Sequence, residues 1–177
     1  VLSRGLGDVY KRQDYNYSNI CAAITIGLHF GIDSSKIQDA LSSFELKNNR
    51  SQVIDINGKE IILDAYNANP TSVVNAIESF SNIQKSKAVI LGDMFELGKK
   101  SYDEHKKIVE LLSKKNIKSC YFIGEDFFKV KSTNESFYFY RTKEEFYNSS
   151  DEISESYVLI KGSRGMKMEE ILSLIHI

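Results

Sequence analysis

Polar residues follow four apolar runs of the sequence, and some of their types could bind an anion. The four polar endings are Asp64-Ala65-Tyr66-Asn67-Ala68-Asn69, Gly92-Asp93, Gly124-Glu125 and Lys161-Gly162-Ser163-Arg164-Gly165. In an open parallel sheet, ligands bind outside the carboxyl ends of the strands. If the apolar runs are neighbouring strands, the four endings line one rim of the sheet, and we expect the chemistry there.

The ending from Lys161 to Gly165 is the most informative of the four. It places two cations, a hydroxyl group and two glycines at a predicted helix start, where free N–H groups favour an anion. Arg164 offers a planar fork for carboxylate or phosphate oxygens, and glycine lets the backbone approach a ligand closely. The phosphate loop G-x-x-x-x-G-K-[ST] is absent from the sequence, so these residues alone are not expected to hold the β- and γ-phosphates of ATP.

Several of these residues also have a structural explanation. Asp64 and Asp93 could be turn residues or helix caps, as many Asp residues after a strand are. His105 lies beside Lys106 and Lys107 on a predicted helix, where a solvated histidine is an alternative to a catalytic one. We expect Asp64→Ala to leave stability nearly unchanged, because a rim residue buries little surface.

The elements that position the rim can be predicted from apolar periodicity and from end signals. Helices are predicted for a pair within 16–44, for 70–83, 101–115 and 165–172, and weakly for 143–153; strands are predicted for 52–57, 59–64, 87–91, 119–123, 137–140 and 157–160. Gly31 should close the first helix of the pair, Asn57-Gly58 tolerates a tight hairpin turn, and Asn69-Pro70 is typical of a helix start. This alternation predicts an α/β fold with a mostly parallel sheet.

Composition bounds the partners and the location of the chain. Its 177 residues, 42% of them hydrophobic, can bury a core of one domain and part of a second. Lys and Arg total 23 against 24 Asp and Glu, so no long-range field attracts nucleic acid or an anionic membrane. The sequence has no membrane-spanning run or signal-peptide core, which predicts a cytoplasmic location. Cys21 and Cys120 have no partner at metal spacing and are predicted to be buried free thiols.

The two ends of the chain differ from the rest. Residues 1–13 show neither helical nor strand periodicity, and the segments VYKRQ and SLIHI are similar to translated adapter or vector sequence. We therefore predict a non-native leader over 1–13 and a non-native tail over 173–177. The alternative is that both are ordinary termini.

Five motifs, in this order and spacing, resemble the Mur ligase family. They are Tyr15-Asn16-Tyr-Ser-Asn19-Ile-Cys-Ala-Ala, Phe44 to Arg50, Asp64-Ala-Tyr-Asn-Ala-Asn-Pro70, Gly92-Asp-Met-Phe-Glu-Leu-Gly98 with Ser101 and His105, and Lys161-Gly-Ser-Arg-Gly-Met166. The resemblance runs from Asp14 to about Leu172, and Gln13 stands where the family pattern has a glycine. It implies that 14–47 end a central ATP-binding domain, as a helical remnant, and that 48–172 form the Rossmann-like carboxyl-terminal domain.

The resemblance also implies roles for individual residues. Nucleotide binding would involve Asn16 and Asn19 at the adenine, Arg50 at the ATP phosphates, Asp64 at the ribose hydroxyls, and Tyr66, Asn67 and Asn69 at the same junction. The catalytic residues would be Lys161, Arg164, Asp93 and His105, and the substrate-binding residues would be Glu96 and Ser163. No metal ligand is implied within this chain.

The implied activity is that of the family branch that joins D-alanyl-D-alanine to UDP-N-acetylmuramoyl-tripeptide in peptidoglycan synthesis. The tripeptide carboxylate would become an acyl phosphate, with ATP and Mg²⁺ held mainly by the central domain that is missing here. The two substrates would be the partners of a monomeric enzyme that binds neither nucleic acid nor membrane, and the fragment alone would be inactive.

Two other functions remain open. A sister ligase of the family, or a folylpolyglutamate synthase-like enzyme that adds glutamate to a folate, would share the ATP junction but should lack the DAYNANP and GDMxELG pair. The chain could also be an α/β binding module without catalytic activity. An upstream reading frame containing a phosphate loop would favour a ligase, and a start codon near Asp14 would favour the module.

Overall fold

The computed structural model describes residues 17–44, 49–149 and 153–173. The chain divides into two compact units, Val1–Glu45 and Leu46–Ile177. Asn16, the predicted leader and the predicted tail beyond Ser173 lie outside the described residues. The domain boundaries that the resemblance implies stay predictions.

The first unit contains the predicted helical pair, α1 (Tyr17–His29) and α2 (Ser34–Ser42). Gly31 follows α1 with a φ of 70°, a left-handed conformation that suits glycine at a helix end. The Asp33 side chain caps α2 by accepting a hydrogen bond from the Ser35 N–H at 2.8 Å. The predicted end of the first helix at Gly31 is therefore confirmed.

The second unit is built on a six-stranded sheet. Its elements in chain order are β1 (Gln52–Ile56), β2 (Lys59–Asp64), α3 (Pro70–Ser81), β3 (Lys87–Gly92), α4 (Ser101–Leu112), β4 (Ser119–Ile123), α5 (Glu125–Lys129), β5 (Phe137–Tyr140), α6 (Lys143–Tyr147) and β6 (Tyr157–Lys161). The strand order is β1-β2-β6-β3-β4-β5. Only the β1–β2 pair is antiparallel, so the predicted mostly parallel α/β sheet is confirmed.

Two apolar clusters cover the two faces of this sheet. Alternate residues of β3 and β6 pack on opposite sides: Val89 and Leu159 face α3, α4 and α5, and Ile90 and Ile160 face α6 and the end of the chain. Because both faces are covered, β3 and β6 are buried along their whole length. This double burial explains why the two strands read as continuous apolar runs.

Local residue types account for the turn before β2 and for the helix start after it. Asn57 and Gly58 have φ values of 53° and 79°, as a tight β1–β2 hairpin requires. Asn69 caps α3 through the Ser72 N–H at 2.9 Å, and the Ser72 hydroxyl accepts the Asn69 N–H in return. Pro70 follows at the first helical position, where its missing N–H has no consequence.

The structure differs from the predicted helices at three places. Among the described residues of 143–153, the helix covers α6, and α5 was not predicted, because five residues are too few to show an apolar period. The α-helix predicted over 165–172 is instead two 3₁₀ segments, Arg164–Met166 and Met168–Ser173, separated by Lys167 with a φ of 48°. Met168 and Ile171 are both fully buried, a three-residue spacing that suits a 3₁₀ turn.

The cysteines and the lengths of the helices are two further features of the described residues. Cys120 is a buried free thiol, as predicted, and burial raises its pKa to about 12, which disfavours thiolate chemistry. Cys21 is only half-buried, so the prediction of burial is wrong for that residue. Within 17–44, 49–149 and 153–173, none of the helices has the length and apolar character needed to cross a membrane.

Candidate functional site

The four polar endings lie along one edge of the sheet, as the sequence predicts. Asp64 is the register partner of Lys161, and Leu91, which precedes Gly92-Asp93, is the register partner of Lys161 on its other side. Gly92 in turn pairs with Ile123, which precedes Gly124. The carboxyl ends of β2, β6, β3 and β4 therefore meet in that order, and we call this the carboxyl edge.

An enclosed ion pair lies at the centre of the carboxyl edge. The Lys161 side chain is only 2% exposed, and its Nζ lies 2.5 Å from Asp64 Oδ2 and 3.0 Å from the carbonyl oxygen of Asn67. Asp64 Oδ1 accepts the Ser51 N–H at 3.2 Å, yet the carboxylate stays 15% exposed. Lys161 is thus committed to its own protein, and this geometry gives no support to a catalytic contact with substrate.

This pairing also contradicts one expectation about stability. Asp64→Ala would leave the buried Lys161 ammonium without its carboxylate partner, and an uncompensated buried charge is strongly destabilising. The buried pair therefore favours the opposite expectation, that Asp64→Ala lowers stability. Asp64 is both an ion-pair partner and a rim residue.

An exposed cation lies beside this pair. The Arg50 guanidinium carbon is 3.5 Å from the centroid of the Tyr66 ring, a cation–π contact at an exposed site. The Tyr66 side chain is 42% exposed, and its backbone N–H donates to the carbonyl oxygen of Asn49 at 3.1 Å. The contact holds the exposed Arg50 against the segment that follows β2.

The other residues predicted to bind the nucleotide are exposed, and two of them make local hydrogen bonds to the backbone. Asn67 Oδ1 accepts the Ala68 N–H at 2.8 Å, and the Asn69 side chain caps α3. Asn19 lies on the exposed surface of α1 in the first unit. The carboxyl edge thus brings together Arg50, Asp64, Tyr66, Asn67 and Asn69.

Asp93 is a buried cap for a helix distant in sequence. Its two carboxylate oxygens accept the N–H groups of Phe127 at 2.9 Å and Asp126 at 3.0 Å, at the start of α5. Gly124 has a φ of 132°, and a Cβ there would lie 2.2 Å from the Asp93 carboxyl carbon. Burial raises the pKa of Asp93, although the two N–H donors act in the opposite direction. The cap explanation left open by the sequence describes this geometry.

His105 is fully buried, so the solvated alternative is wrong. Its Nε2 accepts the Met94 N–H at 3.0 Å, and its Nδ1 lies 2.7 Å from the carbonyl oxygen of Ser101. These partners suit a neutral imidazole with its proton on Nδ1. The ring packs edge-on against Phe127, and Nε2 lies 3.7 Å from Asp93 Oδ1. With no exposed surface, the imidazole cannot touch a ligand in this conformation.

Ser163 joins three of the segments at the carboxyl edge. Its Oγ accepts the Phe95 N–H at 2.8 Å and approaches the Ala68 carbonyl oxygen at 3.5 Å, and its N–H donates to the Asp93 carbonyl oxygen at 3.2 Å. The residue is buried. Ser163 therefore holds the segments after β2, β3 and β6 together rather than facing solvent.

Arg164 and Glu96 are the exposed members of the predicted catalytic and substrate sets. The Arg164 side chain is 61% exposed, and its Nη1 lies 2.8 Å from Glu169 Oε1. The predicted α-helix start after Lys161 is a three-residue 3₁₀ segment, so the free N–H groups of a long helix are absent there and that anion site is not formed. Glu96 is exposed with a φ of 65°.

A groove of about 750 Å³ is lined in part by Glu96 and lies between the start of α3 and the segment that leads into α4. Its lining residues are Asn69, Pro70, Thr71, Ser72, Asn75, Glu96, Leu97, Lys100 and Glu104. It contains both charge signs, with Lys100 on the same wall as Glu96. The sequence singled out Asn69 and Glu96 but missed Thr71, Asn75 and Lys100, although the Asn69-Pro70 helix start already pointed to this side of the sheet.

We searched the described residues for side chains that could bind a divalent metal ion. Among the residues described by the structure, no group of three or more His, Cys, Asp or Glu side chains could hold a metal ion. Among these residues we therefore assign no Mg²⁺ ligand.

Comparison with known proteins points to one family. Residues 49–164 match the family profile described as Mur ligase, glutamate ligase domain. The chain is 34% identical over 163 residues to the UDP-N-acetylmuramoyl-tripeptide--D-alanyl-D-alanine ligase of Buchnera aphidicola subsp. Baizongia pistaciae, covering 89% of this chain and 35% of that protein. Against the Bacillus subtilis ligase of the same name, identity is 32% over 169 residues, covering 89% and 37%.

A solved structure shares the fold. The crystal structure of MurF from Acinetobacter baumannii aligns with a TM-score of 0.80 at 24% identity, covering 93% of this chain and 38% of that one. The chain therefore spans little more than a third of the length of these similar proteins.

Proposed function

Because the chain belongs to the Mur ligase family, we propose that it is the carboxyl-terminal part of the ATP-dependent ligase that joins D-alanyl-D-alanine to UDP-N-acetylmuramoyl-tripeptide. The family profile covers residues 49–164, and relatives with this activity in their names match 89% of the chain. The structural observation that carries the proposal is the carboxyl edge, where Asp64 pairs with Lys161 and the segments after β2 and β3 line a groove through Asn69 and Glu96.

The segment after β2 supports a nucleotide-binding role. The exposed part of the Asp64 carboxylate can accept hydrogen bonds from ribose hydroxyls, while Lys161 and the Ser51 N–H fix its orientation. Arg50, held at Tyr66, can pair with phosphate oxygens through its planar fork. Both groups project from the same edge, so one nucleotide could contact them together.

The groove supports a role in binding the amine substrate. A dipeptide carries one ammonium and one carboxylate group, and the lining offers carboxylates at Glu96 and Glu104 and an ammonium at Lys100. The Asn69, Thr71 and Asn75 side chains add neutral hydrogen-bonding groups for the peptide unit. Opposite charges on one wall favour a zwitterion over a substrate of single charge.

The proposed reaction forms an amide through an acyl phosphate. The tripeptide carboxylate takes the γ-phosphoryl group of ATP, the dipeptide amine attacks the acyl carbon, and the C–O bond to phosphate breaks as the amine loses its proton. Mg²⁺ compensates phosphate charge in such transfers. The residues of this chain would orient the nucleotide and the amine, since Lys161, Asp93 and His105 are enclosed and act on neighbouring segments.

We further propose the biological setting that goes with this activity. The enzyme would work as a monomer in the cytoplasm, in peptidoglycan synthesis, without nucleic acid or membrane as a partner. The chain has 23 basic and 24 acidic residues, and this near balance of charge supports the proposal that neither nucleic acid nor an anionic membrane is a partner.

The test uses the complete reading frame that contains this chain. With ATP, UDP-N-acetylmuramoyl-tripeptide and D-alanyl-D-alanine, we expect phosphate release that requires both substrates. We also expect a product with the mass of UDP-N-acetylmuramoyl-pentapeptide. The 177-residue chain alone should release no phosphate.

Each other outcome identifies an alternative. If glutamate or another single amino acid is ligated and the dipeptide is not, the protein is a sister ligase. If the frame starts near Asp14 and no ATP-dependent product forms, it is a binding module. Activity of the 177-residue chain by itself would contradict its assignment as an incomplete enzyme.

A further inference from the structure

The segment 94–101 forms one wall of the groove and is tied down at both ends by one side chain. His105 accepts the Met94 N–H through Nε2 at 3.0 Å, and its Nδ1 donates to the Ser101 carbonyl oxygen at 2.7 Å. Between these two points the chain passes Glu96 and Lys100, which line the groove. One imidazole therefore bridges the start and the end of the wall.

Neighbouring contacts reinforce the start of this wall. The Phe95 N–H is held by Ser163 Oγ at 2.8 Å, so two consecutive N–H groups are bound by buried side chains. Glu96 follows directly with a φ of 65°, a backbone conformation that few side chains adopt without local support. The left-handed turn that presents Glu96 to the groove thus depends on anchors at the two residues before it.

The end of the wall is anchored as well. The Ser101 hydroxyl donates to Asp126 Oδ2 at 2.8 Å, which links the start of α4 to α5. The groups that face the imidazole include the Ser101 hydroxyl, 3.2 Å from Nδ1, the Asp93 carboxylate, 3.7 Å from Nε2, and the Phe127 ring. In the structure the Asp93 oxygens accept N–H groups of α5, and the acceptor for the Met94 N–H is His105.

We propose that His105 is a positioning residue for the amine substrate: a buried, neutral imidazole that clamps segment 94–101 and so sets the places of Glu96 and Lys100. The inference rests on the proposed function for the identity of the substrate. It assigns His105 no contact with reacting atoms, since the side chain has no exposed surface. Its effect passes through the Met94 N–H.

Two polar substitutions separate the halves of the clamp. In His105→Gln, the side-chain oxygen can reach the position of Nε2 and still accept the Met94 N–H. In His105→Asn, the shorter amide reaches only the position of Nδ1, and the Met94 N–H is left buried without an acceptor. The Asn variant should therefore loosen the groove wall, and the Gln variant should largely preserve it.

The experiment measures steady-state kinetics of the complete ligase. We expect His105→Asn to raise the KM for D-alanyl-D-alanine about 10-fold, the effect of an unsatisfied buried donor, with the KM for ATP unchanged. His105→Gln should restore most of the dipeptide KM. The matched control is Ser119→Ala, which removes a buried hydrogen bond to Glu155 at the other end of the sheet and should leave both KM values unchanged.

Other results contradict the proposal in distinct ways. Equal dipeptide KM values for wild type and His105→Asn would make His105 purely structural. Loss of kcat at unchanged KM in both His105 variants would make it catalytic. A wild-type enzyme without dipeptide-dependent activity would instead defeat the proposed function.

A second measurement on the 177-residue chain tests the clamp without any activity. Amide hydrogen exchange should accelerate across 94–101 in His105→Asn and remain near wild type there in His105→Gln. Uniform exchange in the three proteins would show that the imidazole does not hold the wall, whatever the enzyme's substrate is.

Discussion

The two ends of the parallel strands both contain buried charged groups, but they use them differently. At the amino ends, Lys87 donates to the carbonyl oxygens of Ser81 and Ile83, and Glu155 accepts from Ser119. At the carboxyl edge, Lys161 and Asp64 link two strands and the segment that follows β2. A buried charge alone therefore does not mark a functional site in this protein.

The layer above the buried groups makes the difference. Over the carboxyl edge lie exposed polar side chains, with Arg50 on Tyr66 and with Glu96 and Lys100 at the groove. The Lys87 contacts end at the carbonyl groups that terminate α3, as a helix cap does, and burial lowers the pKa of Lys87. The comparison indicates that the carboxyl edge is built in two layers, buried groups that position and exposed groups that can bind.

The largest effect is expected from Asp64→Ala. Because Lys161 would be left as an unpaired buried cation, the free energy of unfolding of the 177-residue chain should fall by about 3 kcal/mol in urea titration. The double variant Asp64→Ala with Lys161→Met should recover most of this loss, since it removes the unpaired charge, and should still fail to support ligase activity in the complete enzyme. Recovery of activity as well as stability would show that the pair has no role in binding.

A smaller loss of about 2 kcal/mol is expected from Asp93→Asn, because an amide can accept only one of the two N–H groups at α5. The direction of the Asp93 pKa shift determines how the contribution of Asp93 to stability changes with pH. Burial raises the pKa of Asp93 above 3.8, so its stabilising contribution is complete below that value and is lost as pH rises through the raised pKa.

The direction of this pH dependence can be measured by comparing wild type with Asp93→Asn. Asn does not titrate, so the stability gap between wild type and Asp93→Asn should narrow from about pH 3 to about pH 7 in urea titrations. A gap that widens over this range would mean that the N–H donors outweigh burial at Asp93.

Lys87→Met tests the amino ends of the strands. Methionine replaces the buried stem with apolar volume but loses the two carbonyl contacts, so stability should change by only about 1 kcal/mol. Ligase activity of the complete enzyme should stay at the wild-type level. If activity falls as far as in Asp64→Ala, the contrast between the two ends of the sheet is wrong.

The smallest effect is expected at the exposed layer of the carboxyl edge. Tyr66→Leu removes the ring under Arg50 and should raise the KM for ATP about 3-fold, the size of an exposed cation–π contact. Tyr66→Phe keeps the ring and serves as the control with an unchanged KM. A rise in both variants would assign the effect to the tyrosine hydroxyl group instead.

Short-range patterns were sufficient to predict the sheet and most of its helices. The turn at Asn57-Gly58, the cap at Asn69 and the apolar strands each follow from neighbouring residues. The short helix α5 does not, because its cap is Asp93, more than 30 residues earlier in the chain. The 3₁₀ segments that begin at Arg164 differ from an α-helix mainly at Lys167, which separates them in a left-handed conformation. A lysine does not predict that conformation.

The candidate site was predictable in position but not in detail. The rim follows from strand ends, whereas the enclosure of Lys161 depends on a contact with Asp64 across 97 residues. His105 is similar, since Lys106 and Lys107 beside it suggest an exposed helix face while the ring itself turns into the core. Side-chain burial at a rim depends on tertiary packing, which local sequence does not encode.

Hydrogen exchange of the complete enzyme, with and without ATP and D-alanyl-D-alanine, tests most directly whether ligands bind at the carboxyl edge. The account predicts that ligands slow exchange in 64–69 and 94–101 and around 161–165, with no change in 85–88 or 153–157 at the amino ends of the strands. Protection confined to the amino ends, or absent from all three carboxyl-edge segments while the enzyme is active, would contradict it.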